Sequence, residues 1–454
     1  MMAAHSFDLV IVGAGSGNML PAGQFAGWRI AVVEADRFGG TCLNRGCIPS
    51  KMLVHTADVA QAIRHADRFG ISAQWAGADW PAIRDRVFGR IDPLHDRAVA
   101  HRRASGLDVF IGEARFVAPK ILRVGEDDLR ADRFVLATGS RPHIPPIPGL
   151  AEIPYFTSDT IMRLNTLPAS MAVLGGGYIA AEMSHIFGSL GTTVTIVERG
   201  QHLLSRHDTD IRARFTEYYR RRFDLRLSST IDRVSAVGTG VRLDLATPSG
   251  AQRVESEILL VATGRRPNSD RLNLTAAGIE VDAHGHVRTD DTCQTSVPGI
   301  WALGDLANHF QLKHMANAEA RVVWHNVAHP GQPRRAAFPV VPSAVFADPQ
   351  AASAGATEQD LQAQGRRYIA ATRPYSDTAY GWALGDTTSF VKILADPGTH
   401  LLLGAHIIGP QASTLIQPLI QAICLQNTVD EVACGVLYIH PALTEVVEQA
   451  LLDL

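Results

Sequence analysis

The stretch FDLVIVGAGSGNMLPAGQFAGWRIAVVEADR, residues 7–37, decides the fold. A short, mostly apolar run at 7–12 leads into Gly13, Gly15 and Gly17, and a second apolar run, RIAVVE, ends at Glu34. The order predicted is strand, glycine turn, helix, strand, the βαβ unit of a dinucleotide-binding fold. In such a unit the first glycine makes the tight turn. The second lets the backbone approach a pyrophosphate at the helix N-terminus. GAGSGN fits G-x-G-x-x-G except that Asn18 replaces the last glycine, which predicts a wider helix–strand contact. Glu34 stands 21 residues after Gly13, where a carboxylate can accept from ribose hydroxyls.

The pattern recurs in SMAVLGGGYIAAEMSHIFGSLGTTVTIVERG, residues 170–200, with Gly175, Gly177 and Ala180 in the fingerprint positions. Here the terminal acid is Glu198, followed by Arg199 and then Arg206. A carboxylate at this point favours the free 2′-hydroxyl of NAD, whereas an arginine favours the 2′-phosphate of NADP, so the two signals oppose each other. Two further segments rhyme: FVLATGSRP at 134–142 and LLVATGRRP at 259–267. Pro142, Pro145, Pro146 and Pro148 then give a stiff exit from the first half. From about residue 337, short strands precede two helical stretches, 411–425 and 441–452, which reads as a third, α+β domain. The fold expected is α/β, with two Rossmann-like dinucleotide-binding domains and a C-terminal α+β dimerisation domain. Its parts are 1–147, 148–270, a return to the first domain at 271–336, and 337–454.

Composition excludes several classes. The 454 residues suit about three domains. Apolar residues at 46% and charged residues at 19% argue against global disorder. A net charge of −3 gives no overall field for nucleic acid. No apolar run reaches the ~18 residues of a membrane span. Asp8 breaks the first apolar stretch and no basic segment precedes it, so a strand is expected there rather than a signal peptide. Five cysteines in a chain this long make no disulfide framework, which favours a reducing, cytoplasmic setting.

Two of those cysteines stand apart from the rest. GGTCLNRGCIPSKML, residues 39–53, carries Cys42 and Cys47. Positions five apart on a regular helix point about 140° from one another, so bridging them requires a break, which Gly46 can supply. Pro49 suits a first helical turn and would put Cys47 at a helix N-terminus, where a thiolate is stabilised. The alternatives are two buried structural cysteines or half a zinc site. Zinc needs a second close pair, and Cys293, Cys424 and Cys434 are scattered; they read as inert, buried thiols. At the C-terminus, YIHPALTEVVEQALLDL sets Glu445 five residues after His440, with Pro441 able to open a helix. By spacing this is a surface ion pair; beside a redox dithiol it becomes an acid/base unit. In GIWALGDLANHFQLKHMANAEAR, residues 299–321, Asp305 follows a strand and can meet a polar ligand. His309, His314 and the later His325 match no known cage, so no metal is expected.

Together these motifs, in this order along the whole chain, resemble the FAD-dependent pyridine nucleotide–disulfide oxidoreductases. Within that family the chain looks most like the mycothione reductases. The resemblance implies that Gly13, Gly15, Glu34 and Asp305 hold FAD and that Gly175 and Gly177 hold the nicotinamide dinucleotide. It extends the cofactor-binding set to Ser16, Gly17, Gly40, Thr41, Thr138, Gly139, Tyr178, Ile179, Glu198, Arg199, Arg206 and Gly264, together with Lys51, Glu182 and His440. Lys51 and Glu182 form an ion pair on this reading. Cys47 is the flavin-side thiol and Cys42 the thiol that exchanges with substrate. His440 and Glu445 complete the partner subunit's site in a homodimer. The implied activity is transfer of electrons from NADPH, with NADH as the alternative, through a Cys42–Cys47 disulfide to mycothiol disulfide. The first competing reading is an NAD-dependent dihydrolipoamide dehydrogenase, which Glu198 favours. The second is a flavoprotein redox sensor without turnover, which has no need of His440 and Glu445. Neither nucleic acid nor membrane is an expected partner.

Overall fold

The computed structural model describes residues 3–21 and 23–454. Ala3–Val12 lies at the centre of a seven-stranded sheet, paired in parallel with Ile30–Glu34 on one side and Asp127–Leu136 on the other. Ile300–Ala302 joins the same sheet beside Asp127–Leu136, bringing Asp305 to the end of the first strand. Alternate side chains of these strands enter opposite cores. Val10, Val12, Phe134 and Leu136 fill one, and Leu9, Ile11, Val135 and Trp301 fill the other. Both faces are therefore buried, which is why the strands read as apolar runs and not as an alternation.

The helix expected between the first two strands is not formed among the described residues. Ser16–Asn18 makes a single 3₁₀ turn, and turns occupy 23–27. The cause is local. Pro21 cannot donate and would clash inside a helix, and Gly17, Gly23 and Gly27 each disfavour one. The second unit folds as predicted: Ser170–Leu174, helix Tyr178–Leu190, then Thr193–Val197, in a four-stranded parallel sheet. The two rhyming Ala-Thr-Gly segments meet each other, since Ser140–Pro142 pairs antiparallel with Arg265–Pro267 and links the two sheets.

The C-terminal sheet has five antiparallel strands, in the order Ser343–Val345, Ala351–Gly355, Leu402–Ile408, Phe390–Ala395 and Ile369–Pro374. Helices Gln417–Leu425, Val429–Cys434 and Thr444–Leu452 cover it. Two expectations need correction here. The last helix opens at Thr444, not at Pro441, whose preceding peptide bond is cis. Cys424 and Cys434 are exposed, not buried; only Cys293 is.

Lys392, on Phe390–Ala395, ties this sheet to the second nucleotide unit. Its side chain is 2% exposed, and its ammonium lies 2.9 Å from Asp208, 2.6 Å from Asp210 and 2.6 Å from Glu358. Losing Lys392 strands the buried Asp208 carboxylate, while Asp210 and Glu358 still reach solvent, and costs about 3 kcal/mol, nearly all of it from Asp208. Lys392→Met is accordingly expected to lower the melting temperature of the FAD-loaded protein by about 3 °C in a chain of this size. Scanning calorimetry checks it; an unchanged melting temperature would show that the cluster adds nothing.

Candidate active site

The two glycine turns face one cleft of about 2190 Å³, well beyond the ~300–1,000 Å³ of a site for one small ligand. Every residue assigned above to cofactor binding or to the dithiol lines it, except His440. The turns have the same construction. Gly13 has φ +107°, and a Cβ there would lie 2.3 Å from the carbonyl oxygen of Ala137; Gly175 has φ +109°, with Ala262 O at 2.5 Å. Only glycine allows these close strand crossings. A Cβ on Gly177, by contrast, would meet nothing, so that backbone is open to the cleft.

Glu34 is held by the backbone: its Oε2 accepts from Ala14 N–H at 2.7 Å and its Oε1 from Asp36 N–H at 3.0 Å. Burial, opposed by those bonds, lifts its pKa above the usual carboxylate value. Glu198 likewise accepts from Gly200 N–H at 2.7 Å. Arg199 and Arg206 are exposed beside it and make no ion pair among the described residues.

The dithiol sits on a broken helix. Cys42 belongs to Gly40–Arg45, Gly46 leaves helical geometry at φ −135°, ψ −122°, and Cys47 opens Cys47–Arg64. A Cβ at Gly46 would lie 2.9 Å from Thr41 O, so the break closes on glycine. Both cysteines are thiols here. Cys42 shares its proton with Cys47, and that bond together with burial pushes the Cys42 pKa up. The same bond brings Cys47 down to about 7, against burial and with help from the Lys51 ammonium. The two thiols are therefore inequivalent, with Cys47 the more acidic and Cys42 its hydrogen-bond donor.

Lys51, one turn along the same helix, is 2.6 Å from Glu182 Oε2 and stands over the Phe346 ring at 4.5 Å. Glu182 Oε1 accepts from Phe346 N–H at 3.0 Å. The helix carrying Glu182 packs on the helix carrying the dithiol, through Gln61–Ser189 at 2.9 Å and Asp58–His185 at 2.8 Å. His440 Nδ1 lies 2.7 Å from Glu445 Oε1, and this bond holds the Glu445 pKa below its ordinary value. The imidazole is 72% exposed and lies outside its own chain's cleft.

Four contributors escaped the sequence reading. Asp305 Oδ2 accepts from Ser140 Oγ at 2.6 Å, which in turn accepts from Arg265 Nε at 2.8 Å. Both supporting residues come from the paired Ala-Thr-Gly segments, whose repetition was the available signal. Glu319 accepts from Gly304 N–H at 2.7 Å and from Asn308, and burial lifts its pKa to about 7. Lys313 donates to Ser16 at 2.8 Å. Nothing in residue spacing announces either contact.

Residues 7–320 match the family described as "Pyridine nucleotide-disulphide oxidoreductase", and residues 341–451 match its dimerisation domain. The chain belongs to this family. Along its whole length, pyridine nucleotide-disulphide oxidoreductases are its relatives. It is 43% identical to mycothione reductase of Mycobacterium tuberculosis (strain H37Rv), covering 99% of this chain and 100% of the relative. It is 33% identical to dihydrolipoyl dehydrogenase of Chlamydia muridarum, covering 99% and 97%. The solved structure of the HOCl-induced flavoprotein disulfide reductase RclA from Escherichia coli aligns with a TM-score of 0.86 at 26% identity, over 98% of this chain and 99% of that one. The chain is thus a disulfide oxidoreductase, and its family implies FAD and a pyridine nucleotide. The cleft fits such groups. It has two glycine turns, backbone open at Gly177, and a buried Thr138 hydroxyl with no protein partner. No helix among the described residues is long and apolar enough to cross a membrane.

Proposed function

We propose that this enzyme is an NADPH-dependent mycothione reductase acting as a cytoplasmic homodimer, with domains divided as the sequence suggests. The observation that carries the reaction type is the pair of thiols across the Gly46 break, Cys42 on one helix and Cys47 opening the next, with the Cys47 pKa drawn down by the hydrogen bond from Cys42. The substrate assignment is supported by whole-length identity of 43% to mycothione reductase against 33% to dihydrolipoyl dehydrogenase.

The residues divide the work as follows. The first glycine turn, Glu34 and Asp305 would hold FAD; the second turn, Arg199 and Arg206 would hold the nicotinamide nucleotide. When bound, these groups supply the electron pair that returns the Cys42–Cys47 disulfide to the dithiol. Cys42, losing its proton, attacks one sulfur of the substrate disulfide and expels the first thiolate. His440, held through Nδ1 by Glu445, takes the Cys42 proton and gives it to that leaving thiolate. Cys47 then attacks Cys42 and expels the second thiolate, which takes up a proton, and the internal disulfide reforms. Lys51 places a fixed positive charge beside Cys47 throughout.

The dimer is supported by the dimerisation domain and by exposed apolar side chains near His440 in the chain. Val436, Leu437 and Ile439, just before His440 in the chain, and Leu452 are 53–99% exposed in a lone chain, apolar side chains that a second subunit would cover.

Turnover of mycothiol disulfide, lipoamide and glutathione disulfide with each nucleotide tests the assignment. Preference for mycothiol disulfide with NADPH is expected. Glu198 gives the dihydrolipoamide reading its support, and preference for lipoamide with NADH would establish that reading instead. Arg199→Ala should lower kcat/KM for NADPH about 10- to 100-fold, the worth of a lost charged hydrogen bond, and leave NADH nearly unchanged. Equal losses with both nucleotides would remove Arg199 from 2′-phosphate recognition.

A further inference from the structure

A second polar constellation lies outside the chemistry above. The turn Asp282–His286 closes through Asp282 N–H to His286 O at 2.8 Å and Gly285 N–H to Asp282 O at 3.0 Å. Asp282 Oδ1 accepts from the backbone N–H groups of His284, at 2.8 Å, and His286, at 2.9 Å. That fixes the carboxylate and leaves Oδ2 aimed at two imidazoles, with His286 Nδ1 and His309 Nε2 each 3.5 Å away. The three donor atoms lie within 4.8 Å of one another. The His286 side chain is 9% exposed, yet neither of its ring nitrogens has a hydrogen-bond partner. A buried imidazole with two unmet nitrogens is costly unless something else satisfies it.

The spacing suggests what satisfies Nδ1. Donors about 2.0–2.2 Å from a tetrahedral zinc ion lie about 3.3 Å from one another. The two 3.5 Å separations from the carboxylate need only small closure to meet that. The two imidazole nitrogens lie within 4.8 Å of each other, and the exposed His309 side chain can turn to close the rest. The donor set suits a borderline divalent cation better than Mg²⁺ or Ca²⁺. The expectation of no metal was drawn from His309, His314 and His325 together. Two of these are engaged elsewhere, His314 with Pro342 O at 2.8 Å and His325 with Gln332 O at 3.0 Å. His309 is not, and the sequence offers no spacing that joins it to Asp282.

We infer that Asp282, His286 and His309 form a binding site for a divalent transition-metal cation of the Zn²⁺ class, with one coordination position left to solvent. The site would brace the cofactor-binding edge of the molecule. His309 is four residues beyond Asp305, and Val287 N–H donates to Leu306 O at 2.9 Å, so a bound cation would clip the 281–287 turn to the segment that carries Asp305.

The test uses the full-length, FAD-loaded protein with Cys42→Ser and Cys47→Ser, so that the dithiol cannot take up metal. Zn²⁺ affinity and stoichiometry are measured by competition with a chromophoric chelator, and Co²⁺ is read by its ligand-field absorption beyond the flavin bands. One Zn²⁺ per chain is expected, with an intense, tetrahedral-type Co²⁺ spectrum. His309→Ala, at an exposed position that should not disturb folding, and Asp282→Asn should each weaken Zn²⁺ binding tenfold or more and abolish the Co²⁺ bands. His329→Ala, a surface histidine elsewhere, should leave both unchanged. Absence of a bound equivalent in the dithiol-free protein, or less than tenfold weakening by His309→Ala, overturns the site.

Discussion

Replacing Cys47 with serine is expected to lower disulfide reductase activity about a thousandfold or more, as removal of one member of a catalytic unit does. The absorption spectrum discriminates more sharply than the rate. A thiolate in contact with oxidised flavin gives a long-wavelength band. Two-electron reduction of the wild type should produce it, because Cys47 holds its charge at the helix N-terminus while Cys42 keeps the proton. Cys47→Ser should never show the band. Cys42→Ser should show it without any reduction, since Cys47 then has no disulfide partner. The sign of the pH dependence follows from the depressed pKa: the band persists above about pH 7 and is lost as pH falls through that value. Cys42→Ala deletes the main cause of the depression, the hydrogen bond from Cys42, so its midpoint should move up toward the ~8.5 of an ordinary thiol. Identical spectra for the two serine variants, or an unmoved midpoint in Cys42→Ala, would reverse or remove the roles given to the two thiols.

How far the sequence disclosed this arrangement depends on whether a contact is local. Gly13 and Gly175 were legible only as motif positions, since the backbone each would strike, at Ala137 and Ala262, is distant in sequence, whereas Gly46 was legible because it solves a steric problem set by its immediate neighbours. Cys47 at a helix start was legible from Pro49 for the same reason. The missing first helix was legible too, in Pro21 and the three glycines, but the strength of the surrounding βαβ pattern overrode the local signal. Lys51 with Glu182 is different. They are 131 residues apart, and only the resemblance joined them. Ser140, Arg265, Glu319 and the Asp282–His286–His309 cluster had no such help. Ser140 and Arg265 meet only when distant strands pair, and Glu319 and the Asp282–His286 turn reach their partners through loop geometry that no residue periodicity encodes. The Lys392 cluster follows the same rule, since a lysine in an apolar strand gave no sign of three carboxylates from two other elements.

The distance between His440 and its task leads to the remaining prediction. Cys42 lines the cleft, whereas His440 does not, and it follows the exposed apolar side chains of Val436, Leu437 and Ile439 in the dimerisation domain. If the contact is isologous, two equivalent sites arise, each taking its dithiol from one chain and its base from the other. Cys42→Ser and His440→Ala homodimers should each be almost inactive. In a heterodimer of the two, one site combines the serine with the alanine, while the other combines an intact dithiol with an intact His440. Equal mixing and refolding gives homodimers and heterodimers in about a 1:2:1 ratio, so about a quarter of wild-type activity should return. Differently tagged chains allow the heterodimer to be isolated, and its activity should then approach half. Glu445→Gln in place of His440→Ala should complement in the same way, because Glu445 acts only through His440. A purified heterodimer no more active than its parents would place His440 in the site of its own chain. The exposed apolar side chains that precede it would then need another explanation.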